Sequence, residues 1–146
     1  MATKKRKATT RSRHFLFDIG IVNSLTQRGH VEFGSELFGR VFEHFIALEL
    51  RAFLAYREIH LPLQYWRSIS HFEVDFIIGN KLAVEVKGTD LVKDKHLKGI
   101  RALKEEGLFH TYGVISLDTE ERHTADGIHI WPWKNFLKKL WSGEII

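Results

Sequence analysis

The chain has 146 residues, of which 44% are hydrophobic and 12% are aromatic. A chain of this length can bury one core but is too short for two full-sized domains. It contains no cysteine, which excludes a disulfide scaffold, a thiolate zinc site and a cysteine nucleophile and is compatible with a reducing compartment. No apolar run approaches the length needed to span a bilayer. We therefore expect a cytoplasmic protein without a membrane partner.

The formal net charge of +4 comes from the N-terminus. Residues 1–14 carry six Lys and Arg side chains and no acid, whereas the remainder carries 16 Lys and Arg against 18 Asp and Glu. This tail is short, polar and without periodicity, so we expect residues 1–14 to be disordered and residues 15–146 to form a single domain. The tail is either a solvated leader or a non-specific phosphate-binding arm. The charge of the folded part does not by itself indicate DNA binding.

The first predicted elements are a short apolar segment and a long helix. Phe15–Thr26 predicts a short helix or strand, and Ser35–Tyr56 predicts a helix that begins with a serine cap followed by an acid. The helix carries apolar stripes on two sides, which favours packing on both sides. Its narrower stripe holds Glu43 between the small residues Gly39 and Ala47, where a sheet backbone can come close. We expect Glu43 to lie in a half-buried seam.

Strands and helices alternate through the rest of the chain. Gly79-Asn80 marks a turn, and Tyr112–Leu117 is apolar nearly throughout, which predicts a central strand. In chain order the elements are strands Gln64–Ser68, Glu73–Ile78 and Leu82–Lys87, helix Leu91–Glu106, strand Tyr112–Leu117, a polar loop Asp118–Asp126, strand Ile128–Trp131 and helix Trp133–Trp141. The order is α-β-β-β-α-β with a β-α extension. It predicts an α/β fold in which a mixed central sheet is flanked by helices.

The predicted hairpin Glu73–Lys87 has apolar residues at its even positions and mostly charged residues at its odd positions. A two-residue turn would place the acids of the two strands on opposite faces, whereas a three-residue turn over 79–81 gathers the even-position apolar side chains on one face. Burial of six such side chains, each worth about 1.5–3 kcal/mol, selects the three-residue turn. This register places Asp75 opposite Glu85, and Glu73 opposite Lys87.

Two opposed carboxylates repel each other, so a compensating cation is expected. Mg²⁺ is the natural candidate because it takes one or two carboxylates and keeps several waters. Lys87 on the same face would orient or help deprotonate a water and offset charge that develops on phosphorus. The alternative is a solvated face on which Lys81 and Lys87 pair with the acids. Glu43 offers a third carboxylate, and Glu49 on the wider stripe of the first helix is its rival.

The spacing of these residues resembles a family signature. Asp75, nine intervening residues and then Glu85-Val86-Lys87 resemble the D-x(n)-E-x-K motif of the PD-(D/E)XK nuclease-like superfamily. Gly39-Arg40-Val41-Phe42-Glu43, followed by Ala47 and Leu50, resembles the first-helix motif of that superfamily. Four segments at sensible spacings are similar to the uncharacterised C-terminal domain of prokaryotic AAA-type ATPases, a branch of the superfamily: Phe17-Asp18-Ile19-Gly20-Ile21, Phe42-Glu43-His44-Phe45-Ile46-Ala47-Leu48-Glu49-Leu50, Tyr65-Trp66-Arg67 and Glu73-Val74-Asp75-Phe76. The resemblance covers about residues 15–140. No G-x-x-x-x-G-K-[ST] P-loop is present, so the ATPase itself would be a partner domain or subunit.

The resemblance implies a restriction-endonuclease-like fold and metal-assisted hydrolysis of phosphodiester bonds in DNA. Asp75 and Glu85 would ligate Mg²⁺ or Mn²⁺ together with the Val86 carbonyl. Lys87 would position the attacking water, and Glu43 would supply an outer-sphere or second-metal carboxylate. The alternative from another class of function is a non-catalytic docking or regulatory domain, which the acidic body and the missing ATPase half favour.

Other polar and aromatic residues have both a functional and a structural interpretation. Polar residues of the second helix commonly complete such sites in the family, which makes His96 and Lys98 candidates, although the apolar face around His96 is more typical of a core histidine. Arg67 is placed either to approach a phosphate or to pair with Glu73. Tryptophans are expected to pack rather than to stack on bases, namely Trp66, Trp131 and Trp133. Four loop acids lack the spacing of a calcium loop and are expected to be solvated, namely Asp118, Glu120, Glu121 and Asp126.

Overall fold

The structure, a computed structural model, describes residues 31–146. Three sequence predictions lie outside the described residues: the basic tail of residues 1–14, the element Phe15–Thr26 and the motif Phe17–Ile21. Within the described range, every helix is too short or too polar to cross a bilayer.

Helices and strands alternate along the described chain. A 3₁₀ helix, Asp94–Leu97, runs directly into the second α-helix. The elements are α1 (Glu36–Tyr56), β1 (Leu63–Arg67), β2 (Glu73–Ile78), β3 (Leu82–Val86), α2 (Lys98–Lys104), β4 (Thr111–Ser116), β5 (Arg122–His123), β6 (His129–Pro132) and α3 (Trp133–Ser142).

The six strands form one mixed sheet in the order β1-β2-β3-β4-β6-β5. The β1–β2, β2–β3 and β5–β6 pairs are antiparallel, whereas β3–β4 and β4–β6 are parallel. The predicted α/β fold with a mixed sheet is confirmed, and β4 is central as its apolar sequence indicated. The carboxyl ends of β3 and β4 meet at the same edge of the sheet because these two strands are parallel.

Helices cover both faces of the sheet and bury two apolar clusters. The α1 cluster joins α1 and α3 to one face, with Phe53, Phe76 and Phe136 among its fully buried members. The α2 cluster joins α2 to the other face, and it includes Ile77 and Ile100. Each large side chain buried in this way contributes about 1.5–3 kcal/mol to folding. The hairpin that carries the candidate acids therefore lies between two helical layers.

Helix α1 begins where the sequence indicated, because the Ser35 hydroxyl accepts a hydrogen bond from the Phe38 backbone N–H at 3.0 Å. Residues of both stripes are buried in the α1 cluster: Ala47 and Leu50 of the narrower stripe, and Phe42 and Phe53 of the wider one. Glu43 belongs to the narrower stripe, one turn before Ala47, and is half-buried.

The predicted helix Leu91–Glu106 is wrong over its first half. The α-helix covers Lys98–Lys104, and the chain before it is a loop followed by the 3₁₀ helix. Side chains there accept hydrogen bonds from backbone N–H groups. The Leu91 N–H donates to the Thr89 hydroxyl at 3.3 Å, and the Val92 N–H donates to Asp118 at 3.1 Å. These contacts withdraw two N–H groups from helical bonding.

The predicted loop Asp118–Asp126 contains the short strand β5. Arg122 pairs with Ile130 and His123 pairs with His129 of β6. A strand of two residues carries no periodicity, so the sequence gives no signal for it. The extension after the α-β-β-β-α-β order is therefore β-β-α rather than β-α.

Candidate functional site

The turn between β2 and β3 is the three-residue turn that apolar burial favours. Ile78 pairs with Leu82, and the Lys81 N–H donates to the Ile78 carbonyl at 3.0 Å. Gly79 has a φ of +52°, a conformation that glycine adopts without steric cost. The predicted register of the hairpin is confirmed at the turn.

A β-bulge lies at the first candidate acid. The register of β1 against β2 shifts between Gln64 and Trp66, so that Asp75 and Phe76 together lie opposite the single residue Tyr65. An extra residue of this kind locally disrupts the ladder and redirects side chains, and it is common beside active sites. The sequence alternates without interruption here and gives no hint of the bulge.

The bulge changes which face each side chain occupies. Val74 packs in the α2 cluster, whereas Phe76 packs in the α1 cluster. The prediction that all even positions of the hairpin share one face is therefore wrong at Val74. Ile77 is also buried, in the α2 cluster, so the face expected to carry charge is covered by a helix rather than washed by solvent.

Asp75 contacts the backbone of β3. The backbone pairing of β2 with β3 runs from Ile78–Leu82 to Phe76–Val84 and does not extend to the predicted pair of acids. Beyond that point, Asp75 Oδ2 accepts a hydrogen bond from the Val86 N–H at 2.8 Å. The carboxylate thus takes the place of a ladder acceptor at the point where the two strands separate.

Glu85 and Lys87 form an ion pair at the end of β3, with Nζ 2.9 Å from Oε2. The Glu85 side chain is 3% exposed and the Lys87 side chain 36%. Burial raises the pKa of Glu85 from 4.5 to about 7; the ammonium of Lys87 acts in the opposite direction, and the charge of Asp75 adds to the rise. Burial therefore makes the charged form of Glu85 less stable than it would be in water.

The backbone of α2 covers Glu85. A Cβ atom at Gly99 would overlap Glu85 Oε1 and the Glu73 carbonyl oxygen. Oε1 is buried without a hydrogen-bond partner among residues 31–146. Oε2 of this carboxylate is thus paired with Lys87, and the backbone N–H of Ile100 on α2 favours the charged form and lowers the pKa of Glu85, although no donor in the described part of the chain has full hydrogen-bond geometry to Oε1.

Three carboxylates act on the Lys87 ammonium. Burial alone would lower the pKa of Lys87, but the charges of Glu85, Asp75 and Glu43 outweigh it and raise the pKa above its ordinary value. Glu43 reaches this position because α1 packs closely against the end of β3: a Cβ at Gly88 would lie 3.3 Å from the Gly39 Cα. The structure brings Glu43, Asp75, Glu85 and Lys87 together electrostatically. The backbone that comes close to Gly39 belongs to the loop after β3 rather than to a strand as predicted, and a Cβ at Gly39 itself would meet no described residue within 4 Å.

The Glu49 side chain binds a residue of α3 and not the candidate site. Its Oε2 accepts a hydrogen bond from the indole N–H of Trp141 on α3 at 3.2 Å. Of the two rival acids on α1, Glu43 is therefore the one whose charge acts at the Glu85–Lys87 pair.

A family model described as Domain of unknown function (DUF4143) matches residues 38–136, which is more than half of the chain. The matched range includes Glu43, Asp75, Glu85 and Lys87. The chain belongs to the DUF4143 family. A search of the curated proteins and a search of the solved structures each found no significant match.

The donor set of this DUF4143 domain fits a divalent cation held by two carboxylates and water. Mg²⁺ characteristically takes one or two carboxylates, and Glu85 Oε1 is a buried acceptor that lacks a partner in the described part of the chain. Within that same part, no group of three or more His, Asp or Glu side chains is arranged to hold a metal ion together. Asp75 and Glu85, with the Val86 carbonyl, are the residues that would hold such an ion.

The secondary candidates of the DUF4143 domain have other roles in the structure. His96 is half-exposed rather than in the core, and its Nδ1 accepts a hydrogen bond from the Lys93 N–H at 2.9 Å. Lys98 is exposed. Arg67 pairs with Glu73 at 3.1 Å, as one of its two predicted alternatives. The three tryptophans pack in or against the two apolar clusters, as predicted: Trp66, Trp131 and Trp133.

The sequence interpretation missed a buried acid beside the site. Asp118 is 6% exposed, although it was expected to be solvated. Its Oδ2 accepts from the Ser116 hydroxyl at 2.6 Å and from the Val92 N–H at 3.1 Å, and its Oδ1 accepts from Arg122 at 3.0 Å. The position directly after an apolar central strand was the available signal, since the ends of such strands are buried.

Proposed function

We propose that this DUF4143 domain is a metal-dependent nuclease of the PD-(D/E)XK type that hydrolyses phosphodiester bonds in DNA. The observation that carries the proposal is the ion pair of the buried Glu85 carboxylate with Lys87, with Nζ 2.9 Å from Oε2, next to Asp75, whose Oδ2 accepts a hydrogen bond from the Val86 N–H at 2.8 Å. A buried acid whose pKa is raised to about 7 beside a lysine is typical of a functional site rather than of a surface ion pair.

The geometry suggests a role for each residue. Hydrolysis adds a water oxygen to phosphorus and breaks the bond to the leaving oxygen, which takes up a proton. A bound divalent ion supplies Lewis-acid chemistry for this reaction. Asp75 and Glu85 would hold the ion. Lys87 stays protonated because its pKa is raised, so it would orient the water and offset negative charge rather than accept a proton. Glu43 would act from the outer side.

The test is nicking of a supercoiled plasmid by the full chain in Mg²⁺ or Mn²⁺. We expect Asp75→Ala and Lys87→Ala to lower the rate by about 10²-fold or more, and excess EDTA to abolish it. Glu43→Gln should lower the rate, whereas the matched change Glu49→Gln on the same helix should not.

Equal nicking by the wild type and the Asp75 and Lys87 variants would indicate a contaminating nuclease and would refute the proposal. No nicking by any of these proteins would favour the alternative of a non-catalytic docking domain. In that reading the Glu85–Lys87 ion pair and the Asp75–Val86 hydrogen bond are structural contacts.

A further inference from the structure

Positive charge is concentrated in the segment that follows the candidate site. Residues 31–146 contain 15 Lys and Arg against 17 Asp and Glu, but six of those cations and only two acids lie between Lys87 and Lys104. Lys93, Lys95 and Lys98 are exposed. Two further acids follow at 105 and 106, at the far end of α2. The described part of the chain is acidic overall and basic beside the site.

Backbone contacts hold this segment in place. The Lys93 N–H donates to His96 Nδ1 at 2.9 Å, and the His96 N–H donates to the Lys93 carbonyl at 2.8 Å. The Val92 N–H donates to Asp118 at 3.1 Å. These bonds fix the backbone that carries Lys93 and Lys95, so that little backbone conformational entropy is lost when a ligand binds there.

The segment adjoins the candidate site through α2. Gly99, which follows Lys98, lies directly on the Glu85 carboxylate. Asp94 pairs with Arg101 at 3.3 Å, so its charge is directed toward α2. Lys95 thus lies four residues, and Lys93 six residues, before the residue that covers Glu85.

The charges of the segment and of the candidate site both act on the imidazole of His96. Burial lowers the pKa of His96, and the charges of Lys95, Lys87 and Lys93 lower it further. The positive field of the segment and that of the candidate site thus overlap at one imidazole.

We propose that Lys93 and Lys95 form a phosphate-binding surface that holds the DNA backbone next to the Glu85–Lys87 pair. This inference rests on the proposed function, because it gives the position of the substrate of that same site. A polyanion is the partner that the exposed charges fit, and phosphate contacts of this kind position a duplex without reading its sequence.

The test measures binding separately from cleavage. A fluorescein-labelled DNA duplex is titrated with the full chain in EDTA, where no metal-assisted hydrolysis takes place, and fluorescence anisotropy is followed over a range of salt concentrations. We expect the double variant Lys93→Ala/Lys95→Ala to bind more weakly and to lower the slope of log affinity against log salt by about 2. The matched control is Lys134→Ala/Lys138→Ala, which removes the same charge from two exposed positions on α3, at the opposite face of the sheet.

An unchanged slope in the Lys93/Lys95 variant, or equal losses in both double variants, would overturn the inference. Binding of the same variant pair to phosphatidylserine vesicles distinguishes a DNA backbone from a lipid surface: loss with vesicles but not with DNA would also overturn it. The two proposals fail separately. A wild type that binds DNA through these lysines but does not nick plasmid refutes the nuclease alone, whereas nicking without a Lys93/Lys95 effect on binding refutes the surface alone.

Discussion

The carboxylate of Glu85 is 3% exposed and shares its charge with a single ammonium group, that of Lys87. Taking both charges out of water is costly, and their mutual attraction repays this cost only in part. The remaining cost appears as the raised pKa of Glu85. Such a carboxylate gains stability from either a proton or a nearby cation.

The raised pKa predicts how stability changes with pH in the metal-free protein. Between pH 4.5 and about 7 the folded chain retains a proton on Glu85 that the unfolded chain has released, so the free energy of unfolding falls as pH rises through this window. Glu85→Gln removes the titration. We expect the stability of the Gln variant relative to wild type to increase by about 2–3 kcal/mol between pH 5 and pH 8.

Urea unfolding in EDTA at the two pH values measures this difference. Asp90→Asn, a change at an exposed acid in the loop after β3, serves as the control and should show no comparable trend. A stability difference between Glu85→Gln and wild type that stays the same at both pH values would contradict the assignment of a raised pKa to Glu85.

At the level of single residues, spacing in the sequence indicated Asp75, Glu85 and Lys87 as candidates, and the structure pairs Glu85 with Lys87. The same spacing did not show that Glu85 is buried, because its cover comes from Gly99, 14 positions later in the chain. The sequence also placed His96 in the core, since a helical period was assumed where the backbone is a 3₁₀ helix. Local patterns identify which residues are charged, and tertiary packing decides what surrounds them.

Helix α2 is the element that closes the site from one side, and its contact with the sheet depends on a glycine. A methyl group at position 99 would overlap both Glu85 Oε1 and a backbone oxygen of β2. The backbone cannot yield as a flexible side chain would, so the helix must shift away from the sheet.

We therefore expect Gly99→Ala to lower the free energy of unfolding by about 1–3 kcal/mol, measured by urea unfolding. Gly39→Ala is the matched control: it also replaces a helical glycine, and a Cβ there meets no described residue within 4 Å. Alanine favours a helix by about 0.5–1 kcal/mol over glycine, so the control should be neutral or stabilising. Equal effects of the two substitutions would show that α2 does not pack on Glu85 as described.

Most elements of the fold could be predicted, whereas the irregular ones could not. Helix α1, strands β1 to β4 and the turn with Gly79 follow from apolar periodicity and turn residues. The bulge at Asp75 could not be predicted, because Val74, Phe76 and Ile78 alternate in sequence as they would in an unbroken strand. The register shift arises in the pairing of β2 with β1, so the sequence of β2 alone does not predict it.

On the scale of the whole molecule, Asp118 joins three separate parts of the chain. It binds the end of β4 through Ser116, the crossover segment through Val92 and strand β5 through Arg122. Arg122 also donates to the Val92 carbonyl at 2.5 Å. Removing the carboxylate would leave several donors without this acceptor at once, and two of them, the Ser116 hydroxyl and the Val92 N–H, belong to buried residues.

Asp118→Ala should lower the free energy of unfolding by about 2–4 kcal/mol, as measured by thermal or urea unfolding. Glu120→Ala changes an exposed acid two residues away and should stay within about 0.5 kcal/mol of wild type. A neutral Asp118→Ala would mean that this network does not tie the crossover segment to the sheet.

The strand order also affects whether this domain can pair edge to edge with a strand of another chain. An open sheet exposes unpaired backbone groups at its edges, and a long flat edge can recruit a strand from a neighbour and start aggregation. Here the strands richest in apolar residues lie in the interior of the sheet, and the border next to β6 is β5, which is two residues long. A border this short offers a second molecule almost no template, so the domain is protected on that side against joining its neighbours edge to edge.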